Sequence, residues 1–419
     1  PTAKARELRE AHRALKGRML RQETYAEDGS ADEAHPYTVT EQNFRVVRLQ
    51  AAQGDEGHAV FRVDPQEALS YQYDRNPADP RVSHQLTLEV DDYGTVTRSA
   101  AVSYPRRSGS WTETEFGALH MVVTEASVIN DDHNLGYDNG TATADPDNEV
   151  WHLGLPVTSQ TWELTSTETS LAFTDTNRAT ASALLIALDG DGGSVSPAQD
   201  LGFEEAPTTG TQRRILGHQL TLYWNDALNA VLGKGVVGFR ALPFRRHMKA
   251  YTDDLLTHLL DNGTVTVRWG TEVDAQDLED AGYLQLDDNG SPSTSGDFWI
   301  GSGQLAHDAN AFYLPVEATD PFNSILDSAR DSTALTWDTD GLVLTQVVDP
   351  LGNTVQSTPD YRTLTPAQVT DPNGVIQEVA TDPLGRVTKT AIRKPDGAGS
   401  FEGDDLANPT VQVTYEDSR

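Results

Sequence analysis

Between Thr319 and Lys394 the chain repeats itself. Within this stretch Asp-Pro pairs stand at Asp320–Pro321, Asp349–Pro350, Asp371–Pro372 and Asp382–Pro383. The last three are followed, two residues after the proline, by Gly352, Gly374 and Gly385, with spacings of 22 and 11 residues. Each unit carries its own turn chemistry. The aspartate side chain accepts from nearby backbone amides, proline fixes the next φ, and glycine takes the positive φ that other residues resist. The runs that follow (354–358, 375–379 and 387–391) are β-branched or alternating and read as strands. A turn-plus-strand unit of this size cannot bury its own face, but stacked copies can. The repeat therefore predicts a long meandering antiparallel sheet.

The rest of the chain fits a mainly β protein with a few short helices. Leu8, Ala11, Leu15 and Met19 recur at helical spacing, predicting a helix over 5–20 that ends near Arg21. Residues 21–107 read as strands and turns. Gln85–Val90 and Thr95–Tyr104 form a hairpin around Asp92 and Gly94, an outlying cousin of the C-terminal unit. Residues 130–149 are a polar acidic loop, and Ala183–Leu188 is a short apolar element ending at Asp189–Gly193. Thr252 caps a helix whose buried face is Leu255, Leu256, Leu259 and Leu260 and which stops at Asn262–Gly263. Three parts follow from this reading: residues 1–110, a β-rich middle segment over 111–310 with short helices and acidic loops, and a repeat strip over 311–419. The chain starts at Pro1 and breaks off in mid-pattern, as a piece of a longer polypeptide would.

Composition removes several function classes. A net charge of −33 repels nucleic acid. Arginine replaces most lysine, which suits a high-salt or high-GC source. With no cysteine, disulfides, zinc–thiolate sites, iron–sulfur clusters and cysteine nucleophiles are excluded from these 419 residues. No run of 18 apolar residues occurs, so no membrane-spanning helix is expected. No Gly-x-Ser-x-Gly, His-Glu-x-x-His or phosphate-binding loop is present, so no cofactor is called.

Three weaker constellations remain. Asp189, Asp191 and Asp200 occupy positions 1, 3 and 12 of a twelve-residue window, as in a calcium loop. However, Gly193 stands at position 5, Ser194 replaces the glycine of position 6, and Asp200 replaces the usual glutamate; an acidic turn explains them as well. The Asp pairs at 91–92, 131–132, 253–254 and 287–288 fit turns and a helix start better than acid–base chemistry, since 64 acidic residues supply pairs by chance. Arg240 with Arg245, Arg246 and His247 forms a basic island, either a local ion-pair patch or a contact for an acidic partner.

Several blocks resemble the B component of tripartite toxin-complex (Tc) toxins: Arg13–Gly17, Leu20–Ala26, His35–Asn43, Arg75–His84, Leu88–Gly94 and Ser99–Arg107, then Phe312–Phe322 and Asp360–Gly374. They occur in the family's order. The resemblance implies the central and C-terminal part of a secreted B component, at the junction leading into its RHS (YD-type) repeats. It implies a β-sheet strip that wraps, with the C component, into a hollow cocoon around a toxic domain. The A-component pore would be reached indirectly, through a propeller outside this piece. Such a shell needs no catalytic residue, and the repeat aspartates then define turns in a wall. Two other readings stay open: a different RHS-type polymorphic toxin or surface shell, and a carbohydrate-binding or carbohydrate-active β-protein.

Overall fold

A computed structural model describes residues 4–53, 57–107, 114–132, 151–261, 273–294, 297–321 and 332–416. The chain divides into two compact units, Pro1–Thr221 with Tyr251–Trp269, and Leu222–Ala250 with Gly270–Arg419.

The first unit opens with helix α1 (Lys4–Ala14), shorter than the periodicity predicts. Gly17 at φ 81° and three-residue backbone hydrogen bonds from Leu15, Lys16 and Arg18 close it, and strand β1 (Arg21–Thr24) begins at once. The helix is not held by the expected apolar stripe, since Leu8 is 60% exposed. Carboxylates tether it instead: Glu7 accepts from Arg48 and the Ala52 amide, Glu10 from the Ala59 amide and bonds the His58 ring.

The strands that follow are β2 (Thr38–Gln50), β3 (Val60–Gln72), β4 (Arg81–Val90), β5 (Val96–Ser103), β6 (His120–Asp132), β7 (Trp151–Ser166), β8 (Gln199–Leu201) and β9 (Thr211–Tyr223). From β1 to β7 each strand pairs antiparallel with its sequence neighbour; β9 pairs antiparallel with β7, and the short β8 lies parallel to β9. Alternation decides which face is buried. Along β4 the inward residues are Val82, His84 and Leu86, joined by Leu69 and Tyr71 of β3, Ala100 and Val102 of β5, and Met121 and Val123 of β6.

This face is covered by residues 167–201, a strap containing α2 (Ala181–Asp189). Leu171, Phe173, Ala179, Leu184, Ala187 and Leu188 of the strap complete the core. Thr180 caps α2 by accepting from the Ala183 amide, and Gly190 at φ 77° ends it. A Cβ there would meet the Val195 carbonyl at 2.7 Å. Helix α3 (Asp253–Asp261) is capped by Thr252, as its sequence predicts. Leu256 is buried and Leu259 exposed, while Leu260 and Asn262–Gly263 fall outside the described side chains.

The second unit contains β10 (Pro243–Tyr251) up to Ala250, α4 (Ala275–Asp280), β11 (Leu284–Gln285) and β12 (Phe298–Gly301). Phe298 and Trp299 are fully buried, and the Trp299 indole donates to the Leu286 carbonyl at 2.8 Å. Lys249 lies 5.1 Å from the Trp299 ring centre and bonds Asp288 and Asp297.

The same unit holds the meander that the repeat predicts: β13 (Gln304–Asp308), β14 (Leu314–Thr319), β15 (Ser332–Trp337), β16 (Leu344–Val348), β17 (Thr354–Asp360), β18 (Thr365–Thr370), β19 (Ile376–Thr381), β20 (Val387–Pro395), β21 (Phe401–Gly403) and β22 (Val411–Gln412). Each strand through β21 pairs antiparallel with the next, and β22 pairs with β20. Among the described strip residues only Ile376 and Ala391 are buried apolar side chains, so the sheet carries little core of its own.

Candidate functional site

The repeat aspartates build one turn many times. At Asp371 the Oδ1 atom accepts from the amides of Asn373 and Val375, both at 2.8 Å. The Asp371 amide donates to the Val375 carbonyl, and the Gly374 amide returns to the Asp371 carbonyl. Gly374 takes φ 77°. Asp349 with Gly352 and Asp382 with Gly385 repeat this pattern. The Asn353 side chain, with the turn amides, holds the Asp349 carboxyl below the usual range; at Asp382 a desolvation that works the other way is outweighed by the amide and guanidinium of Arg386 and the Leu384 amide. Asp320 and Pro321 follow β14 and border residues outside the described set.

The same turn appears where no Asp-Pro pair marks it. Asp396, Asp287, Asp191 and Asp91 each accept from the backbone amides two and four residues on in this way, and Asp338 closes a turn one residue longer, accepting from the Leu342 and Val343 amides. In the β4–β5 hairpin the accepting carboxylate is therefore Asp91, one residue before Asp92. Asp92 presents its carbonyl to Arg62, and Gly94 takes φ 98°. Replacing Asp91 by alanine is expected to cost about 1–2 kcal/mol, because two turn amides lose their acceptor. The same change at Asp92 should stay within about 0.5 kcal/mol. Urea unfolding of the two variants checks the assignment; equal losses would refute it.

In the strip, Asp338, Asp349, Asp360, Asp371 and Asp382 stand 11 residues apart without a gap. One strand and one turn use 11 residues, so alternate turns fall on opposite edges. The turns at 338, 360 and 382 share one edge, and two of them are cross-linked there. Arg362, in the 360 turn, bonds the Asp382 carbonyl, the Thr381 hydroxyl and Asp360, and so ties the 360 turn to the 382 turn. The hairpins closed on this edge, β13–β14, β15–β16, β17–β18 and β19–β20, all contain a register shift. Hairpins β16–β17 and β18–β19, closed on the other edge, contain none. A bulge bends its strand and raises the local twist.

The calcium-loop window resolves into three separate engagements. Asp189 bonds Arg98 at 2.5 Å, Asp200 bonds Arg213 at 2.6 Å, and Asp191 closes its own turn, which lowers its carboxyl to about 2. Among the described residues no three His, Asp or Glu side chains are grouped to hold a metal. In the basic island, Arg240 pairs with Asp226 and stacks 4.0 Å from the Tyr313 ring centre, Arg245 reaches Gln304, and His247 is buried. Of the other acidic pairs, Asp253 and Asp254 open α3, and Asp288 answers Lys249; the side chains at 131–132 lie outside the described set. A cleft of about 460 Å³ borders the strap between Leu171, Ile186, Val195 and Thr211. Glu168 is its one titratable lining residue among those described.

Two buried carboxylates join the blocks that the sequence separates. Asp79 receives Arg106 at 2.7 and 3.2 Å and the Arg107 amide at 2.9 Å. The Arg107 side chain reaches Asp175 in the strap at 2.6 Å. Both aspartates are about 5% exposed.

Residues 10–155 match the family described as the insecticide toxin TcdB middle/C-terminal region. Of the solved structures, the TcdB2–TccC3 crystal structure matches with a TM-score of 0.58 and 24% identity, over 94% of this chain and 18% of that one. The TcdB2–TccC3–Cdc42 crystal structure gives 0.57 and 24%, over 97% and 18%. The Photorhabdus luminescens Tc holotoxin pore gives 0.61 and 24%, over 96% and 17%. The chain thus spans less than a fifth of the chains it matches. No curated protein matches it. Most of the residue blocks that carried the resemblance, all those between Arg13 and Arg107, lie inside the family match. No described helix is long and apolar enough to cross a membrane.

Proposed function

We propose that this chain, whose residues 10–155 match the insecticide toxin TcdB middle/C-terminal family, belongs to a Tc toxin B component and is a wall segment of the container that a B component forms with its C component. The fold likeness over nearly the whole chain to the TcdB2–TccC3 structure is the observation that carries this reading. The strip supports it independently. Its aspartates are engaged by their own turns, its faces bury few side chains, and its bulges recur on one edge at every second hairpin. Bulges on one edge, repeated every 22 residues, each bend and twist the sheet locally, and a curved container wall requires such repeated bends.

The wall works by exclusion. Paired strands present no free edge between them, and the turns seal each end, so a toxic domain inside is hidden without any reacting residue. The proposed partners are the C component, directly, and the A-component pore, through a propeller elsewhere in the longer protein. The assembly is proposed to act outside the producing cell.

Co-expression of the full-length B-type protein with its neighbouring C-type chain tests this. The expected product is a stable, protease-resistant complex whose electron-microscopy density encloses a cavity. Two chains that fail to associate, or that enclose nothing, would overturn the proposal. So would glycan hydrolysis that a single carboxylate substitution abolishes.

A further inference from the structure

We propose that the buried chain His84–Tyr104–Ala179 is an acid-sensitive latch holding the strap 167–201 on the first unit's sheet. This goes beyond the shell reading and does not depend on it. The Ala179 amide donates to the Tyr104 oxygen at 3.0 Å, and that oxygen lies 2.8 Å from His84 Nδ1. An amide N–H can only donate, so the tyrosine hydrogen is free to bond a neutral Nδ1. His84 and Tyr104 are nearly inaccessible, and His84 Nε2 meets no partner among the described residues.

A proton on His84 breaks this order. Nδ1 becomes a donor, the tyrosine hydrogen loses its acceptor, and a cation appears in the core. The surroundings do not compensate it. On β4 itself His84 sits between Val82 and Leu86; β5 places Val102 opposite and β3 places Leu69. From the strap comes Arg178, a like charge, which also lies 5.8 Å from the Tyr71 ring centre. Asp175 is engaged by Arg107. Glu67 of β3 is an opposing charge, and it is bonded to Asn43. Burial therefore holds the imidazole below its ordinary value, with Arg178 adding to it and Glu67 opposing.

The sign follows from linkage. An opened strap lets His84 take its proton near the ordinary 6.5, while the closed strap takes it only at lower pH. Opening is thus favoured as pH falls through 6.5. It increases about tenfold per pH unit until the closed form is itself protonated.

Hydrogen exchange of the 419-residue chain at pH 7.5, 6.5 and 5.5, corrected for intrinsic rates, reads this directly. In the wild type, protection over residues 173–189 should fall about tenfold per unit below pH 6.5. His84→Gln keeps an acceptor for Tyr104 without a titrating ring, so its strap protection should be flat. Parallel profiles for the two proteins, or constant protection in the wild type, would overturn the latch. Histidine-ring NMR of the wild type keeps the test open should His84→Gln not fold. Loss of strap protection must then track the charging of His84, and a His84 that charges without it would also refute the proposal.

Discussion

Replacing Arg106 by alanine is expected to lower the stability of the first unit by about 3–5 kcal/mol. The reason lies in what the change leaves behind. Asp79 is a desolvated carboxylate held by both guanidinium contacts of Arg106 and by the Arg107 amide. Removing the cation strands a buried negative charge, which costs far more than the net value of the pair. The double variant Asp79→Leu/Arg106→Leu should therefore recover much of the loss, because no charge is left to desolvate. Arg107→Ala should cost less than Arg106→Ala, since the Arg107 side chain is 36% exposed and water can reach the gap. Urea unfolding followed by far-ultraviolet circular dichroism provides the comparison. A loss below about 1 kcal/mol for Arg106→Ala would mean that Asp79 is solvated, contrary to its burial.

This pair also explains two of the sequence blocks physically. Arg75–His84 contributes Asp79 and His84, while Ser99–Arg107 contributes Tyr104, Arg106 and Arg107. They are two sides of one buried polar junction, and the strap supplies the remaining pieces, Asp175 and Ala179. Nothing in the sequence signals that a loop some 70 residues later completes the junction, because Asp175 lies in an ordinary polar turn sequence. The meander was legible because its turns are local. An aspartate, a proline and a glycine at fixed offsets determine the backbone with no help from tertiary contacts. Less legible are the two proline-free rungs of the ladder, Asp338 and Asp360, which the 11-residue spacing alone reveals. The N-terminal helix was overextended for a similar reason. Its apolar period continues past Gly17, but a glycine in the left-handed region and the onset of β1 outweigh periodicity. The window Asp189, Asp191 and Asp200 has linear ligand spacing, yet the chain bends each carboxylate to a different arginine or amide.

Acid should weaken the second unit through His247. This residue is 3% exposed, and its Nδ1 has no hydrogen-bond partner among the described residues. Burial, with added repulsion from Arg245, pushes the imidazole down to about 4, against 6.5 in the unfolded chain. The folded form therefore refuses a proton that the unfolded form accepts. The contribution to stability is complete above pH 6.5, declines as pH falls from 6.5 to about 4, and changes no further below that. The gap corresponds to about 3 kcal/mol of stability lost across the window. His247→Leu removes the titrating ring while keeping an apolar side chain of similar size. The wild-type and variant unfolding free energies, followed by the fluorescence of Trp224 and Trp299 between pH 7.5 and 4, should diverge steadily below 6.5. Carboxylates titrate mainly in the lower part of this range and act on both proteins alike, so the difference isolates the histidine. Parallel curves would show that the ring is hydrated in solution and less enclosed than its burial beside the Phe244 ring implies.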